Sequence, residues 1–373
     1  MKDIFYMKKA IQLAKKGILT TSPNPSVGCI IVKNNTIVGS GWHKKTGMSH
    51  AEIYALKIAG KKAKGATAYI TLEPCSHFGK TPPCCVELTN FGISRVVIAT
   101  LDPNPIVSGK GWQWLKKNGV IVKIGILSKE SIKINQGFFQ RMKTGRPWIK
   151  LKLASSLDGR TALSNGNSKW ITSIHARKDV QKIRQRSDAI ISSSETILSD
   201  NPFLTVRKIF NKTALQTSNK NFYKQPIRVI IDSKNRVHPS HRCIKQSGKI
   251  LLIRLNNDDN KWPKNIEQII LNKNNNTTIN LLDLVKMLGK RKINNVLIEA
   301  GPTLSSAFLK LNIIDEFIIY LAPKLLGNLA KPLFFLKNYE NLSHVPKFVF
   351  KKITQIGTDL KLILLIKHKP ILN

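Results

Sequence analysis

The stretch Ser49-His50-Ala51-Glu52 is followed along the chain by Pro74-Cys75 and, beyond a short loop, by Cys84. One histidine and two cysteines can hold a zinc ion and leave its fourth coordination position open. Bound zinc lowers the pKa of its water to about 7, which supplies hydroxide at neutral pH. Glu52 is not needed as a ligand, and a free carboxylate beside the metal can transfer protons. These residues predict a catalytic zinc site held by His50, Cys75 and Cys84, with Glu52 as its acid–base residue.

The same residues also have simpler interpretations. Ser49 and Glu52 fit a capping box at the start of a helix, and His77 or Cys85 could replace a predicted ligand. We prefer Cys84 because it follows two prolines at the start of a helix, where the dipole lowers the pKa of a thiol. Cys85 would point about 100° further round that helix, into the core.

The order of these residues is typical of hydrolytic zinc deaminases, whose pattern is H-x-E followed by P-C and a second cysteine. That pattern has about two residues between the cysteines, whereas the loop between Cys75 and Cys84 is longer. The spacing alone therefore leaves the choice of the second thiolate open.

Length and charge restrict the class of protein. A chain of 373 residues can form two domains. Its formal net charge of +40 would suit a nucleic-acid-binding protein. However, the lysines are scattered along the whole chain among many asparagines and isoleucines, so we interpret the charge as a compositional bias. We expect a small-molecule substrate and neither a nucleic-acid nor a membrane partner.

The cysteines and the apolar segments indicate a cytoplasmic protein. Five cysteines are an odd number, and two of them are assigned to zinc, so a disulfide framework is not expected. Residues 1–20 have no apolar core of a signal peptide. The strongest C-terminal apolar run, Leu360–Ile366, has the length of a strand and is much shorter than the ~20 residues that span a bilayer.

Residues 1–145 alternate helix and strand patterns, which predicts an α/β domain with helices on both faces of a sheet. We predict helices over residues 3–17, Ser49–Gly60, Cys84–Gly92 and Gly111–Asn118. Strands are predicted over Val27–Val32, Thr36–Gly41, Ala66–Leu72, Val96–Thr100 and Val120–Ile124. The basic stretch Arg141–Pro147, with its glycine and proline, is predicted to be the linker.

Residues 146–373 form the second predicted domain, which is also α/β. The predicted strands are Trp148–Ala154, Ala189–Ser193, Ile227–Ile231, Ile250–Arg254, Glu267–Leu271, Asn295–Glu299 and Glu316–Leu321. The polar segments 208–226, 256–265 and 272–278 are predicted to be exposed loops.

A second site is predicted at strand ends of this domain. The strand that ends at Glu299 is followed by a tight turn at Gly301 and a helix over Leu304–Leu311, an arrangement that can bind a phosphate. No G-x-G-x-x-G motif follows a strand, so a Rossmann-type site is not predicted. Arg184 and Arg207 could contact a sugar phosphate with two hydrogen bonds each, although Arg184 also fits the solvated face of a charged helix.

The whole chain resembles the bacterial bifunctional deaminase–reductases of riboflavin biosynthesis. The matching stretches run in order along the sequence and include the loop between the two cysteines, whose length is that of the family. They are Pro23-Asn24-Pro25-Ser26-Val27-Gly28, His50-Ala51-Glu52, Thr71-Leu72-Glu73-Pro74-Cys75-Ser76-His77, Gly79-Lys80-Thr81-Pro82-Pro83-Cys84, Asp102-Pro103-Asn104-Pro105, Ser156-Leu157-Asp158-Gly159-Arg160 and Glu299-Ala300-Gly301-Pro302-Thr303.

The resemblance implies a cytidine-deaminase-like three-layer domain followed by an α/β domain that is similar to dihydrofolate reductase. The first would remove the ring amino group of 2,5-diamino-6-ribosylamino-4(3H)-pyrimidinone 5′-phosphate, using one zinc ion. The second would use NADPH to reduce the ribosyl group of the product to a ribityl chain. A homo-oligomer is compatible with the resemblance.

The resemblance also assigns residues of the second site. It implies NADP contacts at Ala154, Trp170, Thr196, Asp200, Ser233, Gly301, Pro302, Thr303, Leu304, Ser305, Ser306 and Ala307. It implies substrate contacts at Ser168, Arg184, Leu204, Arg207 and Glu299. Hydride transfer to an open-chain imine needs positioning more than acid–base groups, and Asp200 is the carboxylate that we expect to assist proton movement.

Overall fold

The structure, a computed structural model, describes residues 2–77, 82–207, 224–273 and 278–366. Contacts divide the chain into two units, Met1–Arg146 with Lys292–Asn294 and Pro147–Arg291 with Asn295–Asn373. Over the described ranges, every helix is too short or too polar to cross a membrane.

The first unit alternates helices and strands. Its helices are α1 (Lys2–Lys15), α2 (Ala51–Ala59), α3 (Cys84–Asn90), α4 (Lys110–Lys117), α5 (Ser128–Ile134) and α6 (Gln136–Thr144). Its strands are β1 (Gly28–Lys33), β2 (Thr36–Trp42), β3 (Thr67–Ile70), β4 (Arg95–Ile98) and β5 (Ile121–Ile124). They form one sheet in the order β2-β1-β3-β4-β5, in which β1 is antiparallel to β2 and β3 and the remaining pairs are parallel.

Both faces of this sheet are covered by helices. Alternate residues of β1 point to opposite faces, as the period of a strand requires: Cys29 and Ile31 pack in the cluster that contains α2, and Ile30 and Val32 pack in the cluster that contains α1. The predicted α/β arrangement of the N-terminal region is therefore confirmed.

Two glycines of β2 bring α2 unusually close to the sheet. A Cβ atom at Gly39 would lie 2.2 Å from the carbonyl oxygen of Ala55, and one at Gly41 would lie 2.3 Å from that of Ala51. Any larger residue would push the helix away. This close approach fixes the start of α2, where His50 precedes the helix and Glu52 lies in its first turn.

The prediction that Arg141–Pro147 is the linker is partly wrong. Residues Arg141 to Thr144 continue α6, because the helix satisfies the backbone hydrogen bonds of this polar stretch. The helix ends at Gly145, whose φ of +70° is the left-handed conformation that glycine adopts readily. The connection to the next strand is therefore limited to residues 145–147.

The second unit contains the strands β6 (Trp148–Ser156), β7 (Arg160–Ala162), β8 (Ala189–Ser193), β9 (Ile227–Ile231), β10 (Ile250–Arg254), β11 (Ile266–Ile270), β12 (Asn295–Ile298), β13 (Glu316–Ala322), β14 (Lys331–Pro332), β15 (Phe348–Ile356) and β16 (Asp359–Ile366). Its helices are α7 (Ile174–Gln185), α8 (Ser194–Asp200), α9 (Leu281–Lys290) and α10 (Pro302–Lys310). All the strands predicted for this half are confirmed. Segment 256–265 forms no helix or strand, and much of 208–226 and 272–278 lies outside the described residues.

One large sheet organises this unit. Its order is β11-β10-β9-β8-β12-β6-β13-β16-β15, and the strands from β11 to β13 are all parallel. The buried side chains of α7 pack in one cluster with residues of β8, β9, β10, β12 and β13. Because ligands of open α/β sheets bind beyond the carboxyl ends of parallel strands, this topology places the predicted second site at that edge.

Candidate active sites

The predicted metal ligands meet in the first unit. His50 directly precedes α2, Cys75 follows β3, and Cys84 is the first residue of α3. The Nδ1 atom of His50 lies 3.2 Å from Sγ of Cys84 and 3.5 Å from Sγ of Cys75. Within the described ranges, these residues form the one group of metal-ligating side chains whose atoms all lie within 4.8 Å of one another.

This donor set fits zinc. Zinc–sulfur bonds of about 2.3 Å and zinc–nitrogen bonds of about 2.0–2.1 Å place tetrahedral ligand atoms roughly 3.5 Å apart. The two measured distances from His50, 3.2 and 3.5 Å, are close to that separation. One imidazole and two thiols would leave a fourth position for water.

Glu52 belongs to the site and does not cap the helix through Ser49. The residue that caps α2 is His50, and no side-chain capping bond is present. The Glu52 side chain is buried, and burial disfavours its charged form and raises the pKa of its carboxyl to about 7. A carboxyl whose pKa lies near neutrality can both accept and donate a proton, as a general acid–base residue must.

The thiol whose pKa is lowered is that of Cys75 and not, as its helix position suggested, that of Cys84. The Cys84 thiol and His50 both form hydrogen bonds with Cys75, and they lower its pKa to about 4. The backbone N–H at the start of α3 also donates to Cys75 Sγ, at 3.3 Å. The helix N-terminus therefore favours the thiolate of Cys75, whereas the hydrogen bond to Cys75 raises the pKa of Cys84.

A cavity of about 320 Å³ lies beside this cluster and is lined by residues that include His50, Glu52, Cys75 and His77. His77 contributes to the wall and is absent from the ligand group. Cys85 is 1% exposed and packs in the core, as predicted.

Sequence reasoning did not assign His43 and Asp102, which also line this cavity. The Nδ1 atom of His43 is 3.1 Å from the carbonyl oxygen of Ser49, while its buried Nε2 has no hydrogen-bond partner among the described residues. Burial raises the pKa of Asp102 to about 6. The stretch Asp102–Pro105, which matches the family, could have indicated Asp102, whereas nothing in the sequence distinguished His43.

A larger cavity of about 540 Å³ lies in the second unit. Most of the residues that the resemblance assigned to the reductase line it together: Ala154, Ser168, Trp170, Arg184, Thr196, Asp200, Leu204, Arg207, Glu299, Gly301 and Pro302. They come from β6, from the segments that follow β7, β8 and β12, and from α7, which the parallel sheet gathers at one edge.

The other assigned residues do not line this cavity. They are Ser233 and the α10 residues Thr303, Leu304, Ser305, Ser306 and Ala307. The hydroxyl of Ser305 donates to the carbonyl oxygen of Ala300 at 3.3 Å, and that of Ser306 accepts from the Phe335 backbone at 2.8 Å. These two side chains are therefore engaged within the protein.

Arg184 and Glu299 are paired inside the cavity. Arg184 Nε lies 2.6 Å from Glu299 Oε1, its Nη2 lies 3.0 Å from Oε2, and its Nη1 donates to the Thr205 carbonyl oxygen at 2.9 Å. The guanidinium of Arg184, which we expected to contact a phosphate, is thus already hydrogen-bonded within the protein. Burial alone would raise the pKa of Glu299, but Arg184 and Lys152 outweigh it and hold the pKa below its usual range.

Lys152 is a cavity residue that sequence reasoning missed. Its Nζ lies 3.9 Å from Glu299 Oε2, and burial lowers the pKa of its ammonium. In β6, Ile149, Leu151 and Leu153 are buried while the residues between them are partly exposed. Lys152 could have been found from the sequence, because it lies two residues before Ala154 and therefore on the same face of the strand.

The remaining polar groups of the cavity have distinct partners. Asp200 Oδ1 accepts a hydrogen bond from Ser168 Oγ at 3.1 Å. The guanidinium of Arg177 stacks 4.3 Å from the ring of Trp170. Arg207 is exposed, and its guanidinium forms no ion pair with any carboxylate in the part of the chain that the structure describes.

Family models match both parts of the chain. Residues 1–100 match the family model described as the cytidine and deoxycytidylate deaminase zinc-binding region. Residues 147–362 match the model described as the RibD C-terminal domain. These matches and the solved structures below confirm the expected pair of α/β domains.

The relatives extend over the whole chain. A riboflavin biosynthesis protein RibD from Buchnera aphidicola subsp. Baizongia pistaciae is 75% identical over 98% of this chain and 98% of that protein. The RibD protein of Escherichia coli is 48% identical over 96% of this chain and 98% of its own length.

Two solved structures are similar throughout. Acinetobacter baumannii RibD superposes with a TM-score of 0.88 at 40% identity, over 98% of this chain and 99% of that one. A diaminohydroxyphosphoribosylaminopyrimidine deaminase/5-amino-6-(5-phosphoribosylamino)uracil reductase from Thermotoga maritima superposes with a TM-score of 0.85 at 32% identity, again over 98% and 99%. The chain therefore belongs to the RibD family and is a bifunctional riboflavin biosynthesis enzyme, with a zinc-binding deaminase domain and a reductase domain.

Proposed function

We propose that this enzyme deaminates 2,5-diamino-6-ribosylamino-4(3H)-pyrimidinone 5′-phosphate in its first unit and reduces the ribosyl chain of the product with NADPH in its second unit. The observation that carries the proposal is the meeting of His50, Cys75 and Cys84 next to the buried Glu52, at the wall of one cavity. The Thermotoga maritima relative has the corresponding pair of activities in its name.

In the deaminase site, His50, Cys75 and Cys84 hold the zinc ion. When bound, zinc supplies a hydroxide from water at neutral pH. Glu52 would accept a proton at its carboxylate and donate it to the amino group that leaves the pyrimidine ring. Its side chain, 3% exposed, is shielded from bulk water, so the proton passes to the substrate and is not lost to solvent.

In the second unit, the larger cavity would hold NADPH. Gly301 precedes α10, and a Cβ atom at Gly301 would meet nothing within 4 Å. The backbone N–H groups at the start of this helix, together with the cationic side chains of the cavity, suit the phosphates of a dinucleotide. Ala154, Trp170, Thr196 and Asp200 complete the cofactor contacts.

Substrate binding uses the other polar wall of the same cavity. Arg207 contacts the 5′-phosphate, because its guanidinium is exposed and unpaired within the described residues. Arg184 acts through Glu299, which it holds with two hydrogen bonds. Ser168 and Leu204 contribute the remaining contacts.

The reduction transfers a hydride to C1′ of the open-chain sugar and a proton to the attached nitrogen. NADPH supplies the hydride when bound, so the protein must mainly align C1′ with the cofactor. Asp200 assists the proton movement through its hydrogen bond with Ser168.

The two reactions belong to different units, and both take place in the cytoplasm. The zinc ligands and Glu52 all lie in the first unit, and the assigned reductase residues all lie in the second. Every cysteine is a free thiol, which is the state that a reducing compartment maintains.

Product analysis tests the proposal. Purified protein is incubated with the diaminopyrimidine ribotide, with and without NADPH, and the products are separated and identified by mass. We expect the deaminated ribotide without NADPH and its ribityl derivative with NADPH. Recovery of unchanged ribotide from zinc-loaded protein would contradict the deaminase assignment, and oxidation of NADPH without a ribityl product would contradict the reductase assignment.

A further inference from the structure

Glu73 is a buried carboxylate that the proposed chemistry does not use. It lies between β3 and Cys75, and only 4% of the residue is exposed. A buried carboxylate is costly unless other groups compensate its charge. Within the described ranges, it forms no ion pair with a lysine or arginine.

Backbone N–H groups compensate this carboxylate instead. Oε2 accepts hydrogen bonds from the N–H groups of Asp102 and Gly109, at 3.2 and 3.1 Å. Oε1 accepts from those of Gly111 and Trp112, at 3.0 and 3.2 Å. Each oxygen therefore has two donors, all of which come from one segment of the chain.

That segment includes a wall of the deaminase cavity. Asp102 and Asn104 line the cavity, and the Asn104 backbone donates to Asp102 Oδ1 at 2.8 Å. The segment ends in the first turn of α4, which packs so tightly that a Cβ atom at Gly111 would lie 2.0 Å from the Pro74 carbonyl oxygen. Glu73 thus joins the strand end next to Cys75 to a loop that also lines the cavity.

We propose that Glu73 is a positioning residue of the deaminase, which fixes residues 102–112 relative to Cys75 and thereby holds Asp102 and Asn104 where the pyrimidine ring binds. This inference rests on the proposed deaminase function. Glu73 itself lines the cavity, but both of its carboxylate oxygens already accept backbone hydrogen bonds. Its role is to set the distance between the metal side of the cavity and the wall that receives the substrate.

An amide cannot replace this carboxylate. In glutamine, one of the two terminal atoms is an NH₂ group, which donates and does not accept. Whichever way the amide is turned, this group faces two backbone N–H donors, so at least two of the hydrogen bonds are lost. Glu73→Gln therefore tests the acceptor chemistry with almost no change in side-chain volume.

The experiment uses the full-length, zinc-loaded enzyme. We expect Glu73→Gln to lower deaminase kcat/KM at least about tenfold, chiefly through a higher KM, since hydrogen bonds to a charged group are lost. Zinc content and reductase activity on supplied deaminated substrate should stay at the wild-type level. Glu130→Gln, at an exposed carboxylate of the same unit, is the matched control and should leave all of these values unchanged.

A double-mutant cycle with Asp102→Asn separates positioning from a general loss of stability. If Glu73 acts through the loop that carries Asp102, the combined loss in kcat/KM is smaller than the product of the two single losses. Glu73→Asp, which keeps both acceptor oxygens, should have a KM between those of the wild type and Glu73→Gln.

Three results would overturn the inference. They are a wild-type KM in Glu73→Gln, losses that multiply fully in the double mutant, and loss of zinc together with activity, which would make Glu73 a support of the metal site. A wild-type enzyme that fails to deaminate the ribotide would instead overturn the proposed function itself.

Discussion

The guanidinium of Arg184 and the carboxylate of Glu299 form a two-bond ion pair inside the reductase cavity, with distances of 2.6 and 3.0 Å. Both side chains are largely buried, each about 10% exposed. Removing one member of a buried pair leaves the other charge uncompensated. Arg184 is therefore committed to Glu299, whereas the exposed Arg207 of the same cavity is available for an incoming phosphate.

Replacement of Arg207 by alanine should weaken recognition of the phosphate. Loss of one charge-assisted contact costs roughly 1.5–3 kcal/mol, or about ten- to 150-fold in reductase kcat/KM. Steady-state kinetics with phosphorylated and dephosphorylated substrate provide the measurement, and the loss should be confined to the phosphorylated compound. Arg186→Ala, at an exposed position just after α7, serves as the control. An equal loss on both substrates would show that Arg207 does not contact the phosphate.

The two adjacent thiols of α3 should differ in their effect on zinc. Cys84→Ala removes a ligand atom that lies 3.2 Å from His50 Nδ1, so metal analysis should find strong loss of zinc. Cys85→Ala should keep one zinc ion per chain, because Cys85 packs in the core. The opposite pattern would assign the ligand to Cys85.

Glu52→Gln should abolish most deamination and leave the metal in place. General acid–base catalysis is worth typically about 10²–10⁴-fold, and the amide cannot carry the proton. Zinc content, deamination rate and NADPH-dependent reduction of supplied deaminated substrate are measured on the same protein. Reduction should continue at the wild-type rate. Deamination at a near-normal rate would rule out the proton transfer, and loss of both activities in folded protein would rule out two independent sites.

Asp3 should stabilise the first unit in a pH-dependent way. Its carboxylate accepts two hydrogen bonds from Arg95, at 2.9 and 2.8 Å, and this pairing holds the pKa of Asp3 well below its usual range. A carboxyl with a lowered folded-state pKa stabilises the fold above its unfolded pKa of about 3.9, and this stabilisation is lost as the pH falls through the folded-state pKa.

Asp3→Asn should consequently lower the unfolding free energy of this unit by about 1–2 kcal/mol near neutral pH. The difference from wild type should shrink progressively below about pH 4. Urea unfolding at a series of pH values gives the measurement, with Asp259→Asn at an exposed carboxylate as the control. A difference that is independent of pH would exclude the ion pair as its cause.

Much of the fold followed from local patterns in the sequence. The continuous apolar run of β1, the period-two burial of β6 and the helical spacing of α1 depend only on which faces of an element are apolar. Those patterns predicted the strand and helix positions to within a few residues. Helices α5, α6, α8 and α9 were not predicted. Neither α5 nor α6 has a side-chain capping bond, and the basic end of α6 resembles a linker.

The chemistry of the deaminase site could be predicted from residue type and order alone. His50, Glu52, Cys75 and Cys84 can be recognised from residue type and order, since zinc and a proton carrier require those groups whatever surrounds them.

The tertiary structure decided which charges are free and which are engaged. Glu299 follows β12 and Arg184 lies on α7, 115 residues apart in the chain, and only the packing of α7 beside the parallel strands makes them partners. The same is true of the Cys75 thiol, whose pKa depends on a helix that begins at Cys84, and of Glu73, whose partners come from a distant loop. Hydrogen bonding and desolvation act over a few ångströms in space, and sequence patterns do not record those distances.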